Sequence, residues 1–473
     1  MMNSRFRFLV QSALAGASIA SASSAVARQS VDETGFAGAG DVFDAAELVP
    51  SAASALPPIL PGQEPGARGR EGTPGAREGD APREWFGESP WLGWSRATGD
   101  WGGSRTALEE LGIDFNGSLV SEWSRILEGA DAQRSGFRFL FDANLALDLG
   151  RLAGLEGAGV FLDFQTANAP VGGAAVDGFQ AYSNISIDGS ITQLSQCWYE
   201  QWLLDRALRV KIGKVDANSE FAYIGSAGAF INASAGFTPA IFAFPTYPDP
   251  STGVNLFVYP TDAFYAGVGV YDGGAAVDGI ATGALGPAGF FDDEDSDDWF
   301  VVGEVGTTLA NAGPFDQARI AAGFWWHSGE FARFDGGTED GTTGFYALAE
   351  ARAWRPAGDL AEDDERGLWA FLQFGSADDA VSAVAMQFGG GVTMRGTFAG
   401  RDADAFGVYA SFVEPSGDPL AGFSGDETVI ELFYEWAVTP SLSIKPDIQW
   451  ISNPGAAGGD DAIVATLRCT VAF

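Results

Sequence analysis

The chain has 473 residues, with 26 Lys+Arg against 63 Asp+Glu for a formal net charge of −37, yet 46% of it is apolar and 13% aromatic. That apolar content excludes a disordered chain, and the acid surplus repels phosphate, so nucleic acid is not an expected partner. Two cysteines (Cys197 and Cys469) and one histidine (His327) exclude a disulfide scaffold and leave almost no ligands for a His/Cys metal site, so no metal or other cofactor is expected.

Residues 1–27 read as a secretory signal peptide: Arg5 and Arg7 precede the small apolar run Phe8 to Ala20, and Ala25-Val26-Ala27 is an A-x-A cleavage site. No later stretch holds the ~18 apolar residues of a membrane helix, which leaves an exported soluble protein or a closed barrel. Residues 28–95 read as a periplasmic linker, with prolines at 50, 57, 58, 61, 65, 74, 82 and 90 among Gly, Ala and acids. The signal carries +2 and the linker −6, leaving −33 for residues 96–473.

A short helix is expected over Ser104–Leu111, and from Ile113 onward the pattern is period-2 alternation. Phe137 to Leu149 is apolar at every odd position, with Arg138, Asp142, Asn144 and Asp148 between. Leu208, Val210 and Ile212 alternate with Arg209 and Lys211; Ile430, Leu432, Tyr434 and Trp436 with Glu431 and Glu435; Leu467, Cys469 and Val471 with Arg468 and Thr470. Seventeen segments alternate, and setting aside the weak one at 226–233 leaves sixteen strands. Alternation fits a soluble sandwich or a membrane barrel whose apolar face meets lipid and whose polar face meets a wet lumen. Opposite charges on the polar faces, as at Glu350 and Arg352, favour the barrel. So do short turns alternating with long acidic or Gly-rich loops, and a final strand ending on Phe473. The expected fold class is all-β, a transmembrane antiparallel barrel of about sixteen strands over 96–473.

Thr98-Gly99-Asp100-Trp101-Gly102-Gly103-Ser104-Arg105, with Leu111-Gly112-Ile113, resembles the signature of the OprB-type carbohydrate-selective porins. Further matches follow in the family's order. They include Trp198-Tyr199-Glu200-Gln201, Arg209 to Asn218, Tyr259-Pro260-Thr261-Asp262, Gly400-Arg401-Asp402, Glu431 to Trp436 and Asn453-Pro454-Gly455. The resemblance implies a sixteen-stranded outer-membrane barrel through which small sugars, monosaccharides or short oligosaccharides, diffuse passively, and no enzyme. Outer-membrane lipid and lipopolysaccharide would surround it, and a monomer and a homotrimer are both open. The long linker and the three lysines (Lys211, Lys214 and Lys445) depart from the family pattern.

Sugars need bidentate donors, carboxylate acceptors and aromatic platforms. Strand parity puts Arg138, Asp142, Glu200, Arg209, Lys211, Glu304, Glu350, Arg352, Arg395, Glu431, Glu435, Lys445, Asp447 and Arg468 on the lumen face. They read either as sugar contacts or as wall residues paired across strands. Lys214, Asp216, Asn218 and Glu220 enter a long loop that either narrows the pore or is ordinary polar surface. Gly99, Asp100, Trp101, Gly102, Gly103 and Arg105 read as a plug or rim at the periplasmic mouth.

Glu431 and Glu435 lie ~13 Å apart along a strand, beyond the spacing of glycosidase carboxylates. His327, beside Trp325 and Trp326, reads as a membrane-interface residue, and Cys197 and Cys469 as free thiols facing lipid. The acidic run Asp292 to Asp298 reads as a solvated loop, with calcium the alternative. The other functions considered are a structural barrel and a sugar-binding surface protein without transport.

Overall fold

A computed structural model describes residues 90–473 apart from 169, 173, 275–297, 313–314, 358–363, 397 and 399. The signal peptide, most of the linker and residues 292–297 of the acidic run lie outside the described residues. At the linker's end Trp91–Gly93 forms a 3-10 turn.

Sixteen strands form one closed barrel. They are β1 (Ile113–Glu128), β2 (Ser135–Asp148), β3 (Ala158–Asn168), β4 (Ser190–Leu203), β5 (Leu208–Val215), β6 (Ser251–Thr261), β7 (Phe264–Asp272) and β8 (Trp299–Ala312). Then follow β9 (Phe315–Ala332), β10 (Thr338–Trp354), β11 (Gly367–Ala377), β12 (Val384–Arg395), β13 (Ala405–Pro415), β14 (Glu427–Thr439), β15 (Leu442–Ser452) and β16 (Ala462–Ala472). Each pairs antiparallel with its sequence neighbours, and β1 pairs with β16 to close the ring, Ser121 standing opposite Cys469. Closure leaves no strand edge, which is what lets strands span hydrocarbon.

Alternation then sorts the side chains. Phe324, Leu372, Phe388, Leu432, Trp436 and Leu467 are exposed on the outside, while Glu122, Arg138 and Glu431 are fully buried within. Cys197 and Cys469 are free thiols on the outward parity of β4 and β16. Short turns such as 262–263 and 440–441 gather at one end and the long connections 170–189 and 216–250 leave from the other; in bacterial barrels the short-turn end is periplasmic.

Both long connections bend back into the lumen. The segment 226–233 set aside above is part of one of them: it holds the 3-10 turn Gly225–Ala227 and no strand. Ala227, Ala229 and Ile231 are buried and Gly228 is exposed, but Phe230 and Asn232 are buried too, and the burying surface is the barrel's inner wall. That wall is partly apolar. Phe221 and Phe230 of the loop pack with Phe257, Tyr265, Phe300, Trp325, Phe371, Tyr409 and Phe433. The inner face thus carries aromatic packing beside the expected charges.

The helix α1 (Ser104–Leu111) sits at the barrel seam. Asp100 Oδ1 accepts from the Thr106 amide at 2.9 Å and its hydroxyl at 2.7 Å, satisfying donors at the helix start. Arg105, 1% exposed, lies against the Trp101 ring and donates to the carbonyls of Phe115 on β1 and of Phe473, the latter at 2.9 Å. The Thr98–Arg105 motif therefore clasps the first strand to the last. Arg105→Ala is expected to cost about 3 kcal/mol, because it strips charge-assisted donors from two carbonyls. The readout is the temperature at which the detergent-folded barrel loses its compact electrophoretic mobility; an unchanged temperature would refute the clasp.

Candidate functional site

All fourteen charges expected on the lumen face stand on inward parity, but few are open to solvent. They fall into clusters. At the seam, Glu122 on β1 accepts from Arg138 of β2 at 3.1 Å and from Arg468 of β16 at 2.6 Å. The loop 170–189 docks there: Ser183 donates to Glu122 at 2.7 Å, and the Tyr182 hydroxyl and Asn184 side chain accept from Arg138 and Arg468, each at 2.5 Å.

On β4 and β5, Arg209 and Lys211 both face Glu200 at 3.6 Å and Glu220 more closely, the Lys211–Glu220 contact being 2.5 Å. Lys211 Nζ lies 3.7 Å from the centre of the Trp198 ring. On β8 to β10, Glu304 accepts from the hydroxyls of Tyr265 (2.6 Å) and Tyr346 (2.9 Å) and from Arg319 (3.0 Å). Two glycines make room for those rings: a Cβ on Gly306 would lie 2.3 Å from Tyr265, and one on Gly323 2.2 Å from Tyr346. Arg352 pairs with Asp316 at 2.8 Å rather than with Glu350. Lys445 pairs with Glu435 at 3.3 Å, and Asp447 accepts from Gln449 at 3.1 Å. Asp142 packs beside Asp163, Asn144 and Gln165, and its Oδ1 has no hydrogen-bond partner among the described residues. Arg395 is the loosest of the set: its partner Glu365 is 3.6 Å away, and the two side chains are 35% and 71% exposed.

The loop 216–250 crosses the lumen on these carboxylates. Glu304 accepts the Ala222 amide at 2.9 Å; Glu350 accepts the amide and hydroxyl of Ser226, both at 2.9 Å; Glu431 accepts the amides of Ile231 and Asn232 at 2.7 and 3.0 Å. From the cationic side, Arg319 donates to the Tyr223 carbonyl at 2.7 Å and Lys445 to that of Ala229 at 2.6 Å. Of the four residues expected to begin a constriction loop, Lys214 stays in β5 with its ammonium 3.4 Å from Gln193. Asp216 ties the two ends of the loop, accepting from Asn218 N at 2.9 Å and from Thr246 at 2.6 Å. The Asn218 side chain donates to the Phe221 carbonyl at 3.3 Å. Glu220 is the salt-bridged anchor.

Sequence reasoning missed Glu122, Arg319 and Glu427. Arg319 and Glu122 lie on strands with apolar residues of both parities, so the inward face was not marked. Glu427, which accepts the amides of Phe179, Gln180 and Gly455 at 2.9, 3.0 and 2.6 Å, starts a strand and reads as loop charge. His327 corrects its expectation: it is fully buried on the inward side, within 2.9 Å of the Gly273 carbonyl, and Trp326 takes the outward position.

Burial alone would push the Glu220 carboxyl up, but Arg209 and Lys211 outweigh it and hold it below the ordinary carboxylate range. A depressed acid stabilises the folded state fully above its unfolded value of about 4.3 and loses that contribution as pH falls through the lower folded value. The Glu220 anchor should therefore hold from about pH 7 to 5 and release only on further acidification, read as a change in single-channel conductance. Glu220→Gln should show the acid conductance already at neutral pH; the wild-type level there would contradict the anchor.

A sixteen-stranded antiparallel barrel with an apolar outer face, narrowed by a loop folded into its lumen, defines an outer-membrane porin. Residues 136–473 match the family model "Carbohydrate-selective porin, OprB family", and the chain belongs to that family. It is 24% identical to Porin B of Pseudomonas aeruginosa over 427 residues, covering 79% of this chain and 90% of that protein. An uncharacterised Nostoc protein is 28% identical over 170 residues, 36% of this chain and 24% of its own length. Among solved structures, the high-pH form of Pseudomonas putida OprB superposes with a TM-score of 0.68 at 20% identity, covering 80% of this chain and 99% of that one. Its low-pH form gives 0.54 at 19% identity, again over 80% and 99% of the two chains. The protein is a sugar diffusion channel of the bacterial outer membrane.

Proposed function

We propose that the lumen passes small neutral sugars, monosaccharides and short oligosaccharides, down their gradient, with cations favoured over anions. The observation that carries this reading is the loop 216–250 fixed across the lumen by Glu304, Glu350 and Glu431. The wall beside that loop carries paired charges, which offer donors and acceptors to a polyol without a strong net field. The charges stay with the acids overall, −33 over residues 96–473, which supports the cation preference. The pore-lining set is the fourteen named wall charges, most serving as loop anchors and the open ones, Arg395 and Glu435, meeting solute. Residues 1–27 act as export signal and 28–95 as periplasmic linker on the sequence reading, and lipid with lipopolysaccharide surrounds the barrel as a monomer or a homotrimer.

A structural barrel without transport is the second reading, favoured by the aromatic packing of Phe221 and Phe230 across the lumen. Proteoliposome swelling separates the two. The transport reading expects rapid swelling in glucose and slower swelling as oligosaccharide length grows, with a reversal potential in a salt gradient on the cation side. A folded barrel that conducts neither sugars nor ions would overturn it in favour of the structural reading.

A further inference from the structure

The inward loop makes a tight turn at residues 222–226, and the wall clamps it at four atoms. Glu304 takes the Ala222 amide, Arg319 the Tyr223 carbonyl, and Glu350 the amide and hydroxyl of Ser226. Ala222 is held at φ 53°, a left-handed conformation that a residue with a Cβ adopts only when its surroundings impose it. The residue this turn presents is Tyr223.

Tyr223 differs from the other lumen tyrosines. Tyr182, Tyr265, Tyr346 and Tyr409 give their hydroxyls to wall or loop groups, and Tyr259 and Tyr271 are buried. The Tyr223 ring is half-buried, and its hydroxyl makes no hydrogen bond to any described residue. Glu350, Glu365, Arg319 and Arg395 stand around it. Beside it Gly225 is exposed: a Cβ there would lie 3.6 Å from Tyr223 Cε1, 3.8 Å from its hydroxyl and 3.7 Å from Glu350 Oε2. The glycine thus leaves a notch of at least methyl size bordered by a phenol and a carboxylate, with the loosely paired Arg395 close enough to act on the same phenol. A pyranose has a C–H face that stacks on an aromatic ring and a rim of hydroxyls that pair with carboxylate and guanidinium. The notch offers all three.

We propose that Tyr223 is the stacking contact of the permeating sugar, with Glu350 and Arg395 as its polar contacts, so that this turn sets the channel's preference for pyranoses. The assignment rests on the sugar-channel reading above. Burial beside two carboxylates pushes the phenol up to about 12, so it remains a donor throughout the physiological range.

The test is glucose titration of the single-channel ion current in planar bilayers, where an occupying sugar blocks current. Tyr223→Ala should raise the half-blocking glucose concentration about fivefold to tenfold, with sugar-free conductance equal to or above wild type. Tyr223→Phe should keep most of the block, and Arg395→Ala should lose part of it. Ion conductance of each variant shows that it is folded. A Tyr223→Ala channel blocked at the wild-type concentration overturns the assignment and leaves the sugar-channel reading standing. A wild-type channel that carries ions but neither binds nor passes glucose overturns both.

Discussion

In hydrocarbon an unpaired backbone amide costs several kcal/mol, because no water is present to bond it. The chain meets this constraint by closing β1 onto β16, and the rest of the structure follows from that closure. A closed ring of strands has only an outside and an inside, so the period-2 alternation must sort apolar from charged residues. The seam where the ring closes carries its own reinforcement. Arg105 bridges the carbonyls of Phe115 and Phe473, at the start of the first strand and just past the end of the last, and Glu122 holds arginines from β2 and β16 at once.

Gathering charges inside creates a second problem. A buried carboxylate or guanidinium left without partners is costly, and removing one member of a buried pair exposes that cost. Here the lumen solves it with its own loops. Glu304, Glu350, Glu427 and Glu431 each accept backbone amides from segments that would otherwise cross the lumen unsatisfied. The same contacts discharge the wall and place the loop. The least buried of the fourteen wall charges are Arg395 and Glu435, with side chains 35% and 24% exposed.

The barrel was legible because lipid imposes a rule on every strand. Phe137 to Leu149, or Thr428 to Trp436, can be read by parity without knowing their neighbours. The loop fold was not legible, because its partners are far apart in sequence: Glu431 bonds Ile231 across 200 positions. Locally, Ala227, Ala229 and Ile231 imitate a strand, although Phe230 and Asn232 are buried as well, against the inner wall rather than lipid. At Trp325-Trp326-His327 both faces are apolar or aromatic, so parity could not tell inside from outside. The fourteen wall charges stand on the inward parity of their strands, yet composition could not say that most of them hold the loops. Arg319 shows the limit well: it joins Glu304, Glu350 and Tyr223, and nothing in its local sequence marks it.

The central claim is that the loop 216–250, held by wall carboxylates, sets the width of the path. Polymer exclusion tests it most directly: single-channel conductance recorded in neutral polymers of graded size. The account predicts that the wild-type channel excludes polymers larger than a short oligosaccharide, and that replacing Glu304, Glu350 and Glu431 together by glutamine admits larger ones. An exclusion limit unchanged by that replacement, in a barrel that still folds, would contradict it.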